Sequence, residues 1–303
     1  MLRGFLFFAC HNPFSWNWKH HQYAQCTNNL CKFVLLVAKS IPMKISLIQT
    51  SLTWENPETN RGNFERLIQS IKEDTDIIIL PEMFATGFTM QPAGVAESAD
   101  GATVQWMKDM AKAKNCAVTG SLVIEENGKY YNRLFFVQPD GLVKTYDKRH
   151  LFSLAGEDKA YTSGTDRLIV EYRGWKICPL VCYDLRFPVF SRNTEDFDLM
   201  IYAANWPAPR VTAWDTLLKA RAIENMCYVA GVNRMGDDPD NHYDSNGHEY
   251  PGHSQVFDEL GASAIDVSSG EGVFTVTLDK EKMLETRKKF NFLADRDSFS
   301  LLR

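Results

Sequence analysis

The stretch WKICPLVCYDLRFPVFSR, residues 175–192, sets an apolar run against a polar turn, with Cys182 at the junction. Residues 176–181 read as a short buried strand, and the turn that follows is interrupted by Pro188, which has no amide to give to a sheet ladder. Free cysteine is among the most buried residue types and packs as a small hydrophobe, so core filling is the ordinary reading of Cys182. The sharper reading is a nucleophile held at a strand end, and the rest of the chain has to decide between the two.

Two other β segments end in chemically expensive side chains. DIIILPE (76–82) is a fully apolar run that ends in Glu82, and GLVKTYDKRHLF (141–152) carries Lys148 near its end. Ligands of sheet proteins collect at strand ends, where rigid backbone presents side chains to a crevice. A thiol, a carboxylate and an ammonium form a coherent set. The thiol attacks, the carboxylate carries its proton to a leaving group, and the ammonium holds an oxyanion. Singly, each residue has an ordinary reading: a capping carboxylate, a solvated lysine, a core cysteine. The joint pattern carries the argument.

From Met43 onward strands and helices alternate. KISLIQT (44–50) reads as a strand, and residues 57–73 as a helix with Phe64, Leu67, Ile68 and Ile71 on one face. A helix is expected over 103–115, then three strands over 116–148 across the turns NGK and PDG. Strands follow over 168–181 and near 198–204, then a helix over 212–226 and a strand over 227–234. A polar loop (235–252), two further strands (HSQVFD and GVFTVTL) and a last helix over 279–290 complete the pattern. No repeat or linker divides residues 43–303, which read as one domain.

The 303 residues are 45% hydrophobic and 23% charged, as in an ordinary globular protein, and the net charge of −5 with no basic stripe argues against nucleic acid as a partner. The seven cysteines are odd in number in a long chain, which argues for reduced thiols and a cytoplasmic location. Residues 1–42 show no amphipathic period, and their apolar runs are too short to span a membrane. They read as an extension upstream of a natural start at Met43. Cys26, Cys31 and the pair His20–His21 match no common zinc spacing.

These motifs resemble the nitrilase superfamily of carbon–nitrogen hydrolases over roughly residues 43–297. The triad of that family is Glu-Lys-Cys in this chain order, here in IIILPEMFATGF, YDKRHLF and VCYDLRFP. The resemblance implies a four-layer α-β-β-α sandwich of two mixed sheets and Glu82, Lys148 and Cys182 as catalytic residues. It further implies Glu157, in LAGEDKAYTSG, as a second glutamate, the backbone N–H of Tyr183 as an oxyanion donor, and no metal or cofactor. ANWP (204–207), the segment 214–225, YVAGVNR and KFNFLADRDSF resemble the omega-amidase branch, which hydrolyses the terminal amide of 2-oxoglutaramate or 2-oxosuccinamate. Family members dimerise through an α face, so a homodimer or higher homo-oligomer is expected. Lys148 beside the sulfur is expected to depress the thiol pKa.

A substrate carboxylate needs a cationic partner. Arg210 after NWPAP is the first candidate; Arg186 is the second, since it could instead pair with Asp184. Phe84 and Trp206 are candidate walls of the slot. The other readings of the same triad are an N-carbamoyl amino acid amidohydrolase, an aliphatic amidase, a nitrilase, or a silent binding member of the fold. HEYPGH (248–253) is one residue longer than the helical zinc motif and holds a helix-breaking Pro-Gly. His150 is expected to support the Lys148 segment and Cys178 to pack in the core.

Overall fold

The computed structural model describes residues 42–238, 248–267 and 270–301, together with the backbone of 22–27 and 30–35. It divides into two units, residues 1–40 and 41–303. In the first, β1 (Gln22–Thr27) and β2 (Leu30–Leu35) pair antiparallel, a pairing that the aperiodic sequence did not announce. His20 and His21 lie outside the described residues.

In the second unit the chain order is β3 (Met43–Gln49), α1 (Pro57–Ser70), β4 (Ile77–Ile79), α2 (Ala102–Lys114), β5 (Ala117–Glu126), β6 (Lys129–Val137) and β7 (Val143–Asp147). Then follow α3 (Glu157–Ala160), β8 (Val170–Tyr172), β9 (Trp175–Val181), β10 (Leu199–Ala204), α4 (Val211–Asn225) and β11 (Tyr228–Asn233). The chain continues through β12 (Met235–Asp238), β13 (His248–Pro251), β14 (Ser254–Phe257), β15 (Ser263–Val267), β16 (Gly272–Leu278) and α5 (Lys280–Phe290).

Local chemistry accounts for the helix ends. Pro57 opens α1 and the Asn56 side chain accepts from the Thr59 amide, so a fixed φ and a cap coincide. Helices α2, α4 and α5 stop at Asn115, Met226 and Asn291, each in the left-handed conformation that ends a helix.

Two six-stranded mixed sheets result, ordered β16-β3-β4-β5-β6-β7 and β15-β14-β11-β10-β9-β8. In the first, β3, β4 and β5 run parallel; in the second, β9, β10 and β11 do. Period-two alternation decides the layers. Ile45, Leu47, Ile77 and Ile79 point inward to meet Ile177, Leu199, Ile201 and Val232 of the other sheet. Ile48 and Ile78 point outward to α1 and α2, while Met200 and Tyr202 point outward toward Trp214, Leu218 and Ala222 of α4. The architecture is therefore an α-β-β-α sandwich. Because both faces of every central strand are covered, those strands read as continuous apolar runs.

Three elements differ from the sequence reading. The expected polar loop 235–252 contains the hairpin β12–β13, so His248–Pro251 is strand. Strand β15 was missed because SAIDV is half exposed and lacks a clean alternation. The strand expected over 76–82 is only three residues long, since Pro81 and the turn at Met83 (φ 41°) end it early.

Candidate active site

Strand ends from both sheets bring the titratable side chains together. Glu82 follows β4, Lys148 follows β7, Glu157 opens α3, and Cys182 follows β9. Lys148 Nζ donates to Glu82 Oε1 at 2.8 Å and to Glu157 Oε2 at 2.8 Å and Oε1 at 3.0 Å. All three side chains are fully buried. One ammonium thus binds two carboxylates away from water, where each bond weighs more than at the surface.

The carboxylates are held from other directions as well. Asn132 Nδ2, on β6, donates to Glu82 Oε1 at 2.8 Å and to Glu157 Oε1 at 3.0 Å. The Phe152 amide donates to Glu157 Oε2 at 2.6 Å. Just past β10, the Asn205 amide donates to Glu82 Oε2 at 2.9 Å and its Nδ2 to the Glu82 carbonyl at 2.6 Å. Gly164 lets the chain after α3 lie against this set. Its amide donates to the Lys148 carbonyl at 3.0 Å, and a Cβ there would collide with the Asp147 backbone.

Cys182 adopts φ 44°, a left-handed conformation that costs a non-glycine residue about 1–3 kcal/mol. It begins a 3-10 turn (Cys182–Arg186) directly after β9, and Tyr183 is the second residue of that turn. The thiol donates to the Asn205 carbonyl at 3.9 Å. Burial pushes the Cys182 thiol well above its ordinary range and the Glu82 charge pushes it further, while Lys148 pulls the other way and is outweighed. The expected depression of the thiol is therefore corrected. The thiol is thus held toward its protonated form, beside the Glu82 side chain. Burial works against the Lys148 charge, but Glu157 and Glu82 more than compensate and raise its pKa. Burial raises the Glu157 carboxyl, against the pull of Lys148.

A pocket opens onto this group. Lys148, Cys182, Tyr183 and Asn205 line its chemical end, with Phe88, Phe152, Trp206 and Pro207 as walls and Arg186 and Arg210 as cations. Lys148 Nζ lies 5.2 Å from the Phe88 ring centroid. The Arg186 guanidinium sits 5.0 Å from the Trp206 ring and that of Arg210 5.2 Å from Phe152, so both cations rest on aromatic walls.

Of the residues singled out in the sequence, Glu82, Lys148, Glu157, Cys182, Tyr183, Trp206, Arg186 and Arg210 meet here. Phe84 does not. The turn at Met83 directs it into the core, with its ring 5.3 Å from Phe64 and 5.9 Å from Trp106, and Phe88 takes the place at the pocket wall. Arg186 does not pair with Asp184, whose oxygens are occupied by Val181, Tyr146 and His150. Cys178 is core, and His253 faces Asp215 at 3.2 Å. The sequence reading missed Asn132, Asn205, Phe88 and Phe152. Asn205 sits in the quoted ANWP, the one signal that pointed to it. Asn132 inside a strand carried none.

The carbon-nitrogen hydrolase family model matches residues 44–288. The omega-amidase YafV of Yersinia enterocolitica is 44% identical over 264 residues, which cover 86% of this chain and 99% of that protein. The 2-oxoglutaramate amidase of Bacillus subtilis is 32% identical over 256 residues, covering 83% of this chain and 96% of that protein. A CN-hydrolase superfamily protein of Xanthomonas campestris, solved with an arsenic adduct in its active site, superimposes with a TM-score of 0.82 at 42% identity, covering 86% of this chain and 99% of that one. With the buried Glu-Lys-Cys group at the strand ends of a four-layer sandwich, these matches make the chain a member of the carbon-nitrogen hydrolase family.

Proposed function

We propose that this protein is an omega-amidase. It hydrolyses the terminal amide of a short amide with a carboxylate at its far end, 2-oxoglutaramate or 2-oxosuccinamate, to the 2-oxo diacid and ammonia. The observation that carries the reading is a pocket with the Cys182, Lys148 and Glu82 group at one end and two arginines, Arg186 and Arg210, among its walls. The relatives named omega-amidase and 2-oxoglutaramate amidase, at 44% and 32% identity over most of the chain, support it.

The arrangement supports the following chemistry. Glu82 takes the thiol proton as Cys182 Sγ attacks the amide carbon. The oxyanion forms against Lys148 Nζ and the Tyr183 amide, two donors whose residues line the pocket beside Cys182. Glu82 then delivers the proton to the amide nitrogen, the C–N bond breaks and ammonia leaves a thioester. Water attacks the thioester carbon and gives its proton to Glu82. The C–S bond breaks, the proton returns to sulfur, and the acid leaves. Glu157 stays on Lys148 and holds the ammonium in place. Arg186 and Arg210 take the distant carboxylate, and Trp206 limits the length of the slot.

The activity belongs to residues 43–303. Four buried reduced thiols, Cys116, Cys178, Cys182 and Cys227, support a cytoplasmic location. Phe290 and Phe292 stack on each other at 5.3 Å yet remain 40% and 56% exposed, which supports a homodimer that covers them.

The test is ammonia release from 2-oxoglutaramate and 2-oxosuccinamate beside glutamine, asparagine, butyramide, an N-carbamoyl amino acid and a simple nitrile. The 2-oxo amides are expected to lead in kcat/KM, Cys182→Ala to be inactive but folded, and a thioester to appear on Cys182 by mass spectrometry. Preference for the carbamoyl compound or the nitrile would move the protein to another branch of the superfamily.

A further inference from the structure

Asp184 lies two residues past Cys182 and has no part in the steps above, yet it is fully buried. Its Oδ2 accepts from the Val181 amide at 3.0 Å and from the Tyr146 hydroxyl at 2.8 Å. Its Oδ1 accepts from the His150 amide at 3.1 Å and faces His150 Nδ1 at 2.8 Å. A carboxylate has about four acceptor sites, and all four directions are taken by protein groups. His150 is held in turn by a stack on Phe187 with centroids 3.7 Å apart, and the Tyr146 hydroxyl accepts from the Arg149 amide at 3.0 Å.

The partners fall on two strand ends. Val181 precedes the nucleophile, while Tyr146 and His150 stand two residues to either side of Lys148. A buried charge is costly unless fully hydrogen-bonded, and this one spends its bonds on joining the Cys182 turn to the Lys148 segment. The same turn holds Cys182 at φ 44°, which persists only if the surroundings over-determine it.

We propose that Asp184 is a positioning residue. It keeps Cys182 in its left-handed conformation and locks the sulfur to the Lys148 strand end, so that thiol and ammonium hold their separation while the oxyanion forms. The inference rests on the reading of Cys182 as nucleophile. A residue that only buttresses the core lowers stability and leaves kcat alone; one that sets this separation lowers kcat with little change in KM.

The test compares Asp184→Asn, Asp184→Ala, Tyr146→Phe and the pair Tyr146→Phe/Asp184→Asn in ammonia release, with thermal melting beside it. An asparagine keeps one acceptor oxygen and turns the other position into a donor, so kcat is expected to fall in the order wild type, Asp184→Asn, Asp184→Ala. The loss in Asp184→Asn is expected at about 10–100-fold, with KM within about twofold. Tyr146→Phe is expected to lose several-fold in kcat, and the double variant no more than Asp184→Asn, because Tyr146 acts through Asp184. A folded Asp184→Asn with wild-type kcat, or losses that multiply in the double variant, would overturn the proposal. If the Asp184 variants do not fold, Tyr146→Phe decides, and an unchanged kcat there is equally fatal. Activity retained in Cys182→Ala would instead remove the nucleophile, a different failure.

Discussion

Lys148 Nζ stands 2.8 Å from Glu82 Oε1 with both side chains wholly withdrawn from water, so the proposed base and the proposed oxyanion donor form one buried ion pair. Glu157 closes on the same ammonium at 2.8 Å, so two carboxyl groups share one cation. The activity of each member is therefore tied to the charge of the others.

Lys148→Met is expected to lose about 100- to 1,000-fold in kcat, the scale of one oxyanion donor. It also leaves Glu82 and Glu157 buried without their cation. Breaking such a pair costs about 3–5 kcal/mol, so the urea midpoint should fall with the rate. Stability unchanged from wild type would mean that the carboxylates are paired elsewhere.

Glu82→Gln separates reactivity from turnover. Burial raises the Cys182 thiol most, the Glu82 charge raises it further and Lys148 lowers it, so removing the Glu82 carboxylate takes away one raising influence and leaves burial and Glu157 opposed by Lys148. The midpoint of Cys182 alkylation by iodoacetamide is expected to move to lower pH. Amide hydrolysis should meanwhile fall by at least about 100-fold, because the proton carrier is gone. A midpoint that rises or stays put would contradict the electrostatic account of the site.

Arg210→Ala and Arg186→Ala are expected to lower kcat/KM for 2-oxoglutaramate by several-fold to about 100-fold and to leave butyramide within about threefold. Arg210 should have the larger effect. Equal losses on both substrates would show that the arginines shape the pocket walls through Phe152 and Trp206 without reading the carboxylate.

Alkaline pH should unfold the protein. Burial pushes the Cys116 and Cys178 thiols to about 12 and raises those of Cys182 and Cys227 as well. An unfolded thiol ionises near 8.5 to 9, so above about pH 9 the unfolded chain has released protons that the folded one still holds. This contribution is fully present below pH 8 and is lost as pH rises toward 12, by about 1.4 kcal/mol per thiol for each unit. Urea midpoints at pH 8 and pH 10 measure it; equal midpoints would show that the thiols ionise freely when folded.

A chain starting at Met43 is expected to melt and turn over like the full chain. Strand β3 begins at Met43 between β4 and β16, every residue of the pocket lies beyond it, and the family match begins at residue 44. A lower melting point or weaker activity would assign residues 1–42 a place on the hydrolase domain.

Much of this was legible before folding, because it is encoded by neighbours in the chain. Apolar runs covered on both faces marked the central strands, and alternation sorted inward Ile77 from outward Ile78 once the sheets were paired. Glu82, Lys148 and Cys182 stood out because each sits where an apolar or β segment stops. The hairpin β12–β13 and strand β15 did not stand out, since their pairing is made by backbone bonds that a polar sequence does not advertise. Phe84 and Phe88 are both phenylalanines near Glu82, and only the reversal at Met83 decides that one joins the core and the other the pocket. Asn132 is an ordinary polar residue in a strand until folding sets its Nδ2 between two carboxylates 50 and 25 residues away. Cys182 shows the division most sharply. Its position as a strand-end thiol is local and could be read from the chain, whereas its ionisation depends on water excluded by two packed sheets and on charges that only the tertiary structure brings to it.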